Sequence, residues 1–381
     1  MLIRLAVKLG LIGGCLFGLP LLGAWLDGQT VAVYLRFPPS LPTPDPTPFS
    51  WPRFILIALF VALATAPFLV AMWRTPRQPR PAAQRSMPWW GWVGLALMAI
   101  SWLLAWTRFP WMQAYQAYTF TPIWLGYILF INGLCVRRDG SSFLTRQPWL
   151  FLGLFPVSAL FWWFFEYLNR FVVNWYYIAA EEPSAVAYLV AGSLPFSTVL
   201  PAVLSTRDWL TGFPRLYAGV AHGIRIPEGL PRSAAWLGLL GAGAGLIALP
   251  LWPGLLYPLV WLAPLLLVIV VQALLGERHL LSPLASGDWR PIWLAAVAAL
   301  ACGFLWELWN WHSLARWEYA VPYVHRFEIF EMPLLGYAGY LPFGLQCVAA
   351  ASLFFGARRD ILYGPISDER QPPRNDKRPR Q

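Results

Sequence analysis

The chain has 381 residues, of which 58% are hydrophobic and 12% charged, with a formal net charge of +10 and a mean hydropathy of +0.52. This balance excludes an ordinary soluble domain, in which roughly a quarter of the residues are charged. The 28 Lys and Arg are dispersed and no nucleic-acid-binding motif accompanies them. The positive charge therefore points to anionic lipid heads and not to nucleic acid.

Ten apolar stretches approach or exceed the roughly 18 residues that a membrane helix needs. They cover about 3–25, 54–73, 89–107, 120–136, 149–168, 184–204, 234–252, 254–275, 292–310 and 333–356. The first could imitate a signal peptide, but Lys8 leaves too short an apolar core before Cys15, so an uncleaved helix is expected. Pro38, Pro39, Pro42, Pro44, Pro46 and Pro48 then predict an extended outer loop. Segment 74–88 reads as a basic inner connector. Segment 205–233 mixes Trp209, Phe213, Leu216, Tyr217 and Ile224 with arginines, which predicts a short amphipathic piece at the inner interface. Trp252-Pro253-Gly254 is a tight turn between the seventh and eighth stretches, and the tail from Gly364 is expected to be disordered. Cys15, Cys135, Cys302 and Cys347 all fall in apolar stretches and read as small apolar residues. Neither a disulfide framework nor a metal site is expected.

The basic residues orient this layout. With the N-terminus inside, 22 of the 28 Lys and Arg fall in inner segments, leaving Arg36, Arg53, Arg108, Arg170, Arg316 and Arg326 outside. That is the bias the positive-inside rule requires. The expectation is an all-α, multi-pass bundle of about ten transmembrane helices in a cell membrane of the bacterial inner-membrane kind, with both termini cytoplasmic.

One set of residues occurs twice. Glu166-x-x-Asn169, Trp175-x-Tyr177 and Gly192-x-Leu194-Pro195-Phe196 return as Glu307-x-x-Asn310, Trp317-x-Tyr319 and Gly339-x-Leu341-Pro342-Phe343. Stretches five and six thus match stretches nine and ten. Both pairs leave the cytoplasm and return to it, so a parallel tandem repeat about the membrane normal is expected. Pro195 and Pro342 should bend their helices and free a carbonyl.

A glutamate one turn from a helix end inside a membrane is costly unless it faces protein or water and finds a partner. Glu307 and Glu166 are therefore candidate proton donors or electrostatic groups, with Asn310 and Asn169 on the same helical face to orient them. Glu328 and Glu331, just ahead of the last stretch, form a second acidic candidate pair, although acidic residues there also complement a helix dipole. Glu181-Glu182-Pro183 holds the corresponding place in the first copy. Trp162, Trp163, Trp306 and Trp309, with Tyr177 and Tyr319, are candidate walls of a substrate site, because aromatic faces stabilise cations. Trp175, Tyr176, Trp317 and Tyr319 also fit an interfacial belt. His222 and His279 read as solvated loop residues, while His312 and His325 lie near the outer cluster. Interhelical hydrogen bonding is the competing explanation of the glutamates. There is no P-loop, H-E-x-x-H or G-x-S-x-G pattern, and no cofactor is expected.

The paired Trp- and Glu-rich helices with acidic helix entrances, over about 149–356, resemble bacterial integral-membrane terpenoid cyclases. The similar types are the small multi-helix lycopene cyclases and the membrane tetrahymanol synthases. The lycopene cyclases carry a Pro-x-Glu-Glu pattern, where this chain has Glu181-Glu182-Pro183 and Glu328-x-x-Glu331-Met332-Pro333. The resemblance implies an enzyme acting on an isoprenoid or other lipid by acid-initiated cyclisation or rearrangement. A lipid or amphiphile transporter and a structural or assembly subunit remain open beside it.

Overall fold

Inside a bilayer a backbone satisfies its own polar groups most simply as a helix, and the apolar stretches fold accordingly. The computed structural model describes residues 2–40, 48–76, 85–179, 184–226 and 231–365. Its main helices are α1 Leu2–Leu26, α2 Trp51–Arg74, α3 Trp89–Trp106, α4 Phe120–Asp139, α5 Pro148–Asn169, α6 Ala185–Phe196, α7 Val199–Leu210, α8 Arg232–Ala248, α9 Leu259–Leu274, α10 Arg290–Trp311 and α11 Tyr340–Phe355. Among the described residues, eight helical segments are long and apolar enough to cross a membrane, taking α6 with α7 as one and α11 with the 3-10 turn Leu334–Gly339 before it as another. The chain is a predominantly helical, multi-pass membrane protein. α8 and α9 are apolar but shorter than a standard crossing. Pro250, Pro253 and Pro258 fall between them, and each lacks the N–H that would extend a helix.

Three expectations need correction. The loops are not wholly irregular: β1 Trp175–Ile178 pairs antiparallel with β2 Arg316–Tyr319, and β3 Glu328–Ile329 with β4 Met332–Pro333. Residues 205–210 are not a surface loop but the last turns of α7, where Arg207 is fully buried and donates to the carbonyls of Asp360 and Ile361. His279 is not solvated: it is 3% exposed, and its Nδ1 accepts from the Leu281 N–H. Glu181, Glu182, Pro183, most of the 74–88 connector and the tail beyond residue 365 lie outside the described residues.

Small residues set the closest helix contacts, as is usual in membranes. A Cβ on Gly344 of α11 would overlap the Ala295 carbonyl of α10, and one on Gly23 of α1 would overlap the Ile247 carbonyl of α8. Polar side chains tie α4 to α7: Tyr127 to Thr206 at 2.7 Å and Asn132 to Ser205 at 2.8 Å. Where Pro195 ends α6, Ser158 of α5 donates to the Phe196 carbonyl at 2.5 Å and accepts from the Leu200 N–H at 3.0 Å. The bend is thereby satisfied within the protein. α2 and α6 differ from the other main helices, for neither has a buried residue.

Candidate functional site

The site begins where α5 and α10 run out. Asn169 is the last residue of α5, and Asn310 is one residue from the end of α10, so each side chain can reach the chain that follows. Asn310 Nδ2 donates to the Trp317 carbonyl at 2.7 Å, and its Oδ1 accepts from the Trp317 N–H at 2.9 Å. Asn169 Nδ2 donates to the Trp175 carbonyl at 2.8 Å, and its Oδ1 accepts from the Asn174 N–H at 2.8 Å. Each amide thus clips a strand to a helix end. Neither touches the neighbouring glutamate in the way the shared helical face suggested. The first turn is one residue shorter and places Val173 at φ 48°, a left-handed conformation that a β-branched residue adopts only when its surroundings hold it there.

Because β1 and β2 pair, both helix ends lie at the same end of the bundle. The register sets Trp175 opposite Tyr319, Tyr176 opposite Glu318 and Tyr177 opposite Trp317. The Trp-x-Tyr of one strand therefore meets that of the other in reverse, and each strand turns its Tyr onto the glutamate of its own helix. Glu166 Oε1 accepts from Tyr177 OH at 2.6 Å, Trp162 Nε1 at 2.9 Å and Trp175 Nε1 at 3.1 Å. Glu307 Oε1 accepts from Tyr340 OH at 2.5 Å and Tyr319 OH at 2.7 Å, and Trp317 Nε1 donates to that Tyr319 oxygen at 2.7 Å. Glu307 is fully buried, and its Oε2 has no hydrogen-bond partner.

The two carboxylates receive their third ring from different places. In the first copy it comes from Trp162, one turn before Glu166, while Ser193 occupies the G-x-L-P-F position. In the second, Gly303 stands one turn before Glu307, and Tyr340 occupies the G-x-L-P-F position. A Cβ at Gly303 would collide with the Tyr340 ring. The ring stands one turn before the glutamate in one motif and at the G-x-L-P-F position in the other, and the carboxylate is held in both cases.

In front of this double network lies a cavity of about 640 Å³, within the usual range for a small-molecule site. Its walls include Trp162, Trp163, Trp306, Tyr177, Tyr319 and Tyr340, closed on one side by Ile57, Phe60, Val61 and Ala64 of α2. Trp162 and Trp306 face each other across 6.5 Å between ring centroids, and both contact Phe343. Glu166 and Glu307 stand one layer behind the wall, joined to it through phenol and indole groups. Burial first, and then the glutamate each one faces, push the phenols of Tyr177 and Tyr319 up from their ordinary pKa, so they remain neutral donors.

The remaining candidates fall elsewhere. Trp309 does not line the cavity. It turns toward α4 and packs on Trp124 at 4.8 Å, because three residues along a helix from Trp306 leads to a different neighbour. Glu328 is exposed on β3, where its Oε1 lies 3.2 Å from His325 Nε2. Glu331 is half-buried near Glu318 and Arg316, and burial, followed by the charge of Glu318, raises its pKa. Neither lines the cavity. Trp175 and Trp317 do, and their bonds to Glu166 and Tyr319 give them a place in the network besides the interfacial belt expected for them. The sequence reading missed Tyr340, Trp261, Asn174 and the α2 face altogether. Among the described residues, no group of three His, Cys, Asp or Glu is placed to hold a metal ion.

If the Asn clips carry the strand pair, Asn310→Ala leaves the Trp317 N–H and carbonyl without these partners in a partly buried place. A loss of about 1–3 kcal/mol of stability is expected, read as a lower melting temperature of the purified protein. An unchanged melting temperature would mean that β2 is held by other contacts.

No family model, curated protein or solved structure matches the chain.

Proposed function

We propose that the chain is an integral membrane enzyme that takes an isoprenoid or other lipid into the aromatic cavity and rearranges it through an acid-generated cation. The observation that carries this reading is the placement of Glu307. Its carboxyl is buried, no cation among the described residues bonds to it, and it contacts the cavity through two phenols that themselves line the wall. In the proposed reaction a proton passes from Glu307 through the hydroxyl of Tyr340 or Tyr319 to an alkene carbon. The positive charge left on the substrate faces the rings of Trp306 and Trp162, which stabilise it as cation–π partners. A second carbon–hydrogen bond then breaks, its electrons form the new alkene, and its proton returns along the same path. The product is an isomer, and nothing is consumed.

The proposal includes ten crossings, with α8 and α9 completing the set, a parallel repeat that relates α5–α6 to α10–α11, and both termini in the cytoplasm. The alternation of Lys and Arg supports the orientation, and the matched Asn clips support the repeat. Single cysteines in a variant lacking the native four test the orientation. A cysteine at position 328, which is exposed, should react with a membrane-impermeant reagent from outside, and one at position 85 should not; the reverse would overturn it.

Lipid extracts of cells that naturally make the protein test the function. Deleting the gene should remove one lipid and accumulate an isomer of equal mass. Unchanged extracts would refute an enzyme acting on lipid. One observation favours transport as a second reading: α2 forms a cavity wall yet buries none of its residues, as a movable wall would. In that case, reconstituted vesicles would take up the lipid unaltered.

A further inference from the structure

A buried polar atom on the cavity wall has no partner among the described residues. Asn174 turns the backbone from α5 into β1, and its main-chain groups are both satisfied. Its N–H donates to Asn169 Oδ1 at 2.8 Å, and its carbonyl accepts from the Ala320 N–H at 2.8 Å. The side chain is a different matter. It lines the cavity, is 4% exposed, and its Oδ1 has no hydrogen-bond partner. Buried amide groups are nearly always bonded, and one that is not calls for an explanation. A ligand that supplies the missing bond is one.

The rest of the wall limits what that ligand is. Asn174 and the phenols of Tyr177 and Tyr319 lie by the strands, while Thr65, Tyr118, Tyr188, Tyr257 and Tyr340 bring further hydroxyls to the wall. The far end is hydrocarbon and aromatic, formed by Phe60, Val61, Ala64, Phe196 and Val199. Along α2 the wall runs from Ile57 to Thr65, about 12 Å at the rise of a helix. Among the described lining residues the one cation is Arg316, and its guanidinium is already paired with Glu318 at 3.0 Å. A phosphate or carboxylate head would call for a free cation, and the described lining residues offer none.

From this juxtaposition we propose that the cavity binds a lipid alcohol, its hydroxyl on the Asn174 amide beneath the β1–β2 pair and its hydrocarbon directed inward along α2. The proposal rests on the lipid-binding reading above and adds the chemistry of the head group. A hydroxyl both donates and accepts, so it satisfies the amide whichever way the terminal oxygen and nitrogen point. Its neutrality suits a wall whose single cation is spent.

The test uses the full chain in nanodiscs and three probes with one hydrocarbon skeleton: phytol, phytane and phytyl diphosphate. Trp162, Trp163, Trp175, Trp261, Trp306 and Trp317 line the site, so intrinsic fluorescence reads its occupancy. Phytol should bind at least about tenfold tighter than either of the others, the difference expected for one well-made buried hydrogen bond. Asn174→Ala keeps both main-chain bonds and should bring phytol down to the affinity of phytane, leaving phytane unchanged. Equal affinities for phytol and phytane in the wild type would overturn the proposal without any variant, as would an undiminished preference in Asn174→Ala. Tightest binding of the diphosphate would also overturn it, in favour of an anionic head. Binding of none of the three would sink the lipid reading itself, and this inference with it.

Discussion

Glu307→Gln should lower turnover by on the order of a hundredfold or more, the effect expected when a general acid is lost, while the yield of folded protein stays near that of the wild type. The substitution keeps the size of the side chain, and its amide oxygen can still accept from Tyr319 and Tyr340 in place of Oε1. What it removes is the exchangeable carboxyl proton. Tyr340→Phe should give a smaller loss, because Tyr319 still links Glu307 to the cavity. Glu166→Gln separates the roles of the two copies: Glu166 Oε1 is fully engaged by three donors, so its variant should retain far more activity. Glu307→Leu removes both phenol bonds and should reduce yield as well as turnover. If Glu307→Gln were fully active and only Glu307→Leu impaired, Glu307 would be an anchor for Tyr319 and Tyr340, and the acid step would be excluded.

Gly344→Ala should be among the most damaging single-carbon changes in the chain. Its Cβ would overlap the Ala295 carbonyl, which is backbone and has no rotamer by which to yield. α10 and α11 must therefore separate, at a cost of about 1–3 kcal/mol or more for overpacking. That movement also displaces Tyr340, one turn earlier on α11, from Glu307, which sits on α10. Both melting temperature and turnover should fall, and a second substitution elsewhere that restores stability should not restore turnover. A stable, fully active Gly344→Ala protein would mean that the approach of these helices does not position the site.

The membrane architecture was legible because a bilayer forces apolar length and helix formation together, so composition alone located most of the helices. The shortening of α8 and α9 was also visible, in Pro250, Pro253 and Pro258, but hydropathy is blind to a missing N–H. The repeated Glu-x-x-Asn was found from sequence, yet its two members were assigned to each other. Spacing of three puts them on one face, but an amide at the end of a helix has open chain to bind, and both asparagines hold the strands that follow. The alternation of Trp175 with Tyr177, and of Trp317 with Tyr319, was the available sign of strands, and four residues made it easy to read as a surface belt. Tyr340 could not have been found by matching the copies. Its counterpart is Ser193, and the ring it supplies comes in the first copy from Trp162, whose counterpart is Gly303. Only packing reveals that exchange. Trp309 carried the same sequence signal as Trp306 and points toward α4, a distinction set by the neighbouring helix.

The most direct test of proton-initiated chemistry is to run the reaction in heavy water. Purified protein in nanodiscs, supplied with the unlabelled lipid that accumulates when the gene is deleted, should release an isomer carrying one carbon-bound deuterium, delivered through Glu307 from solvent, and the Glu307→Gln protein should release almost none. An isomer formed without deuterium, or a lipid that crosses the bilayer unchanged, would contradict the account.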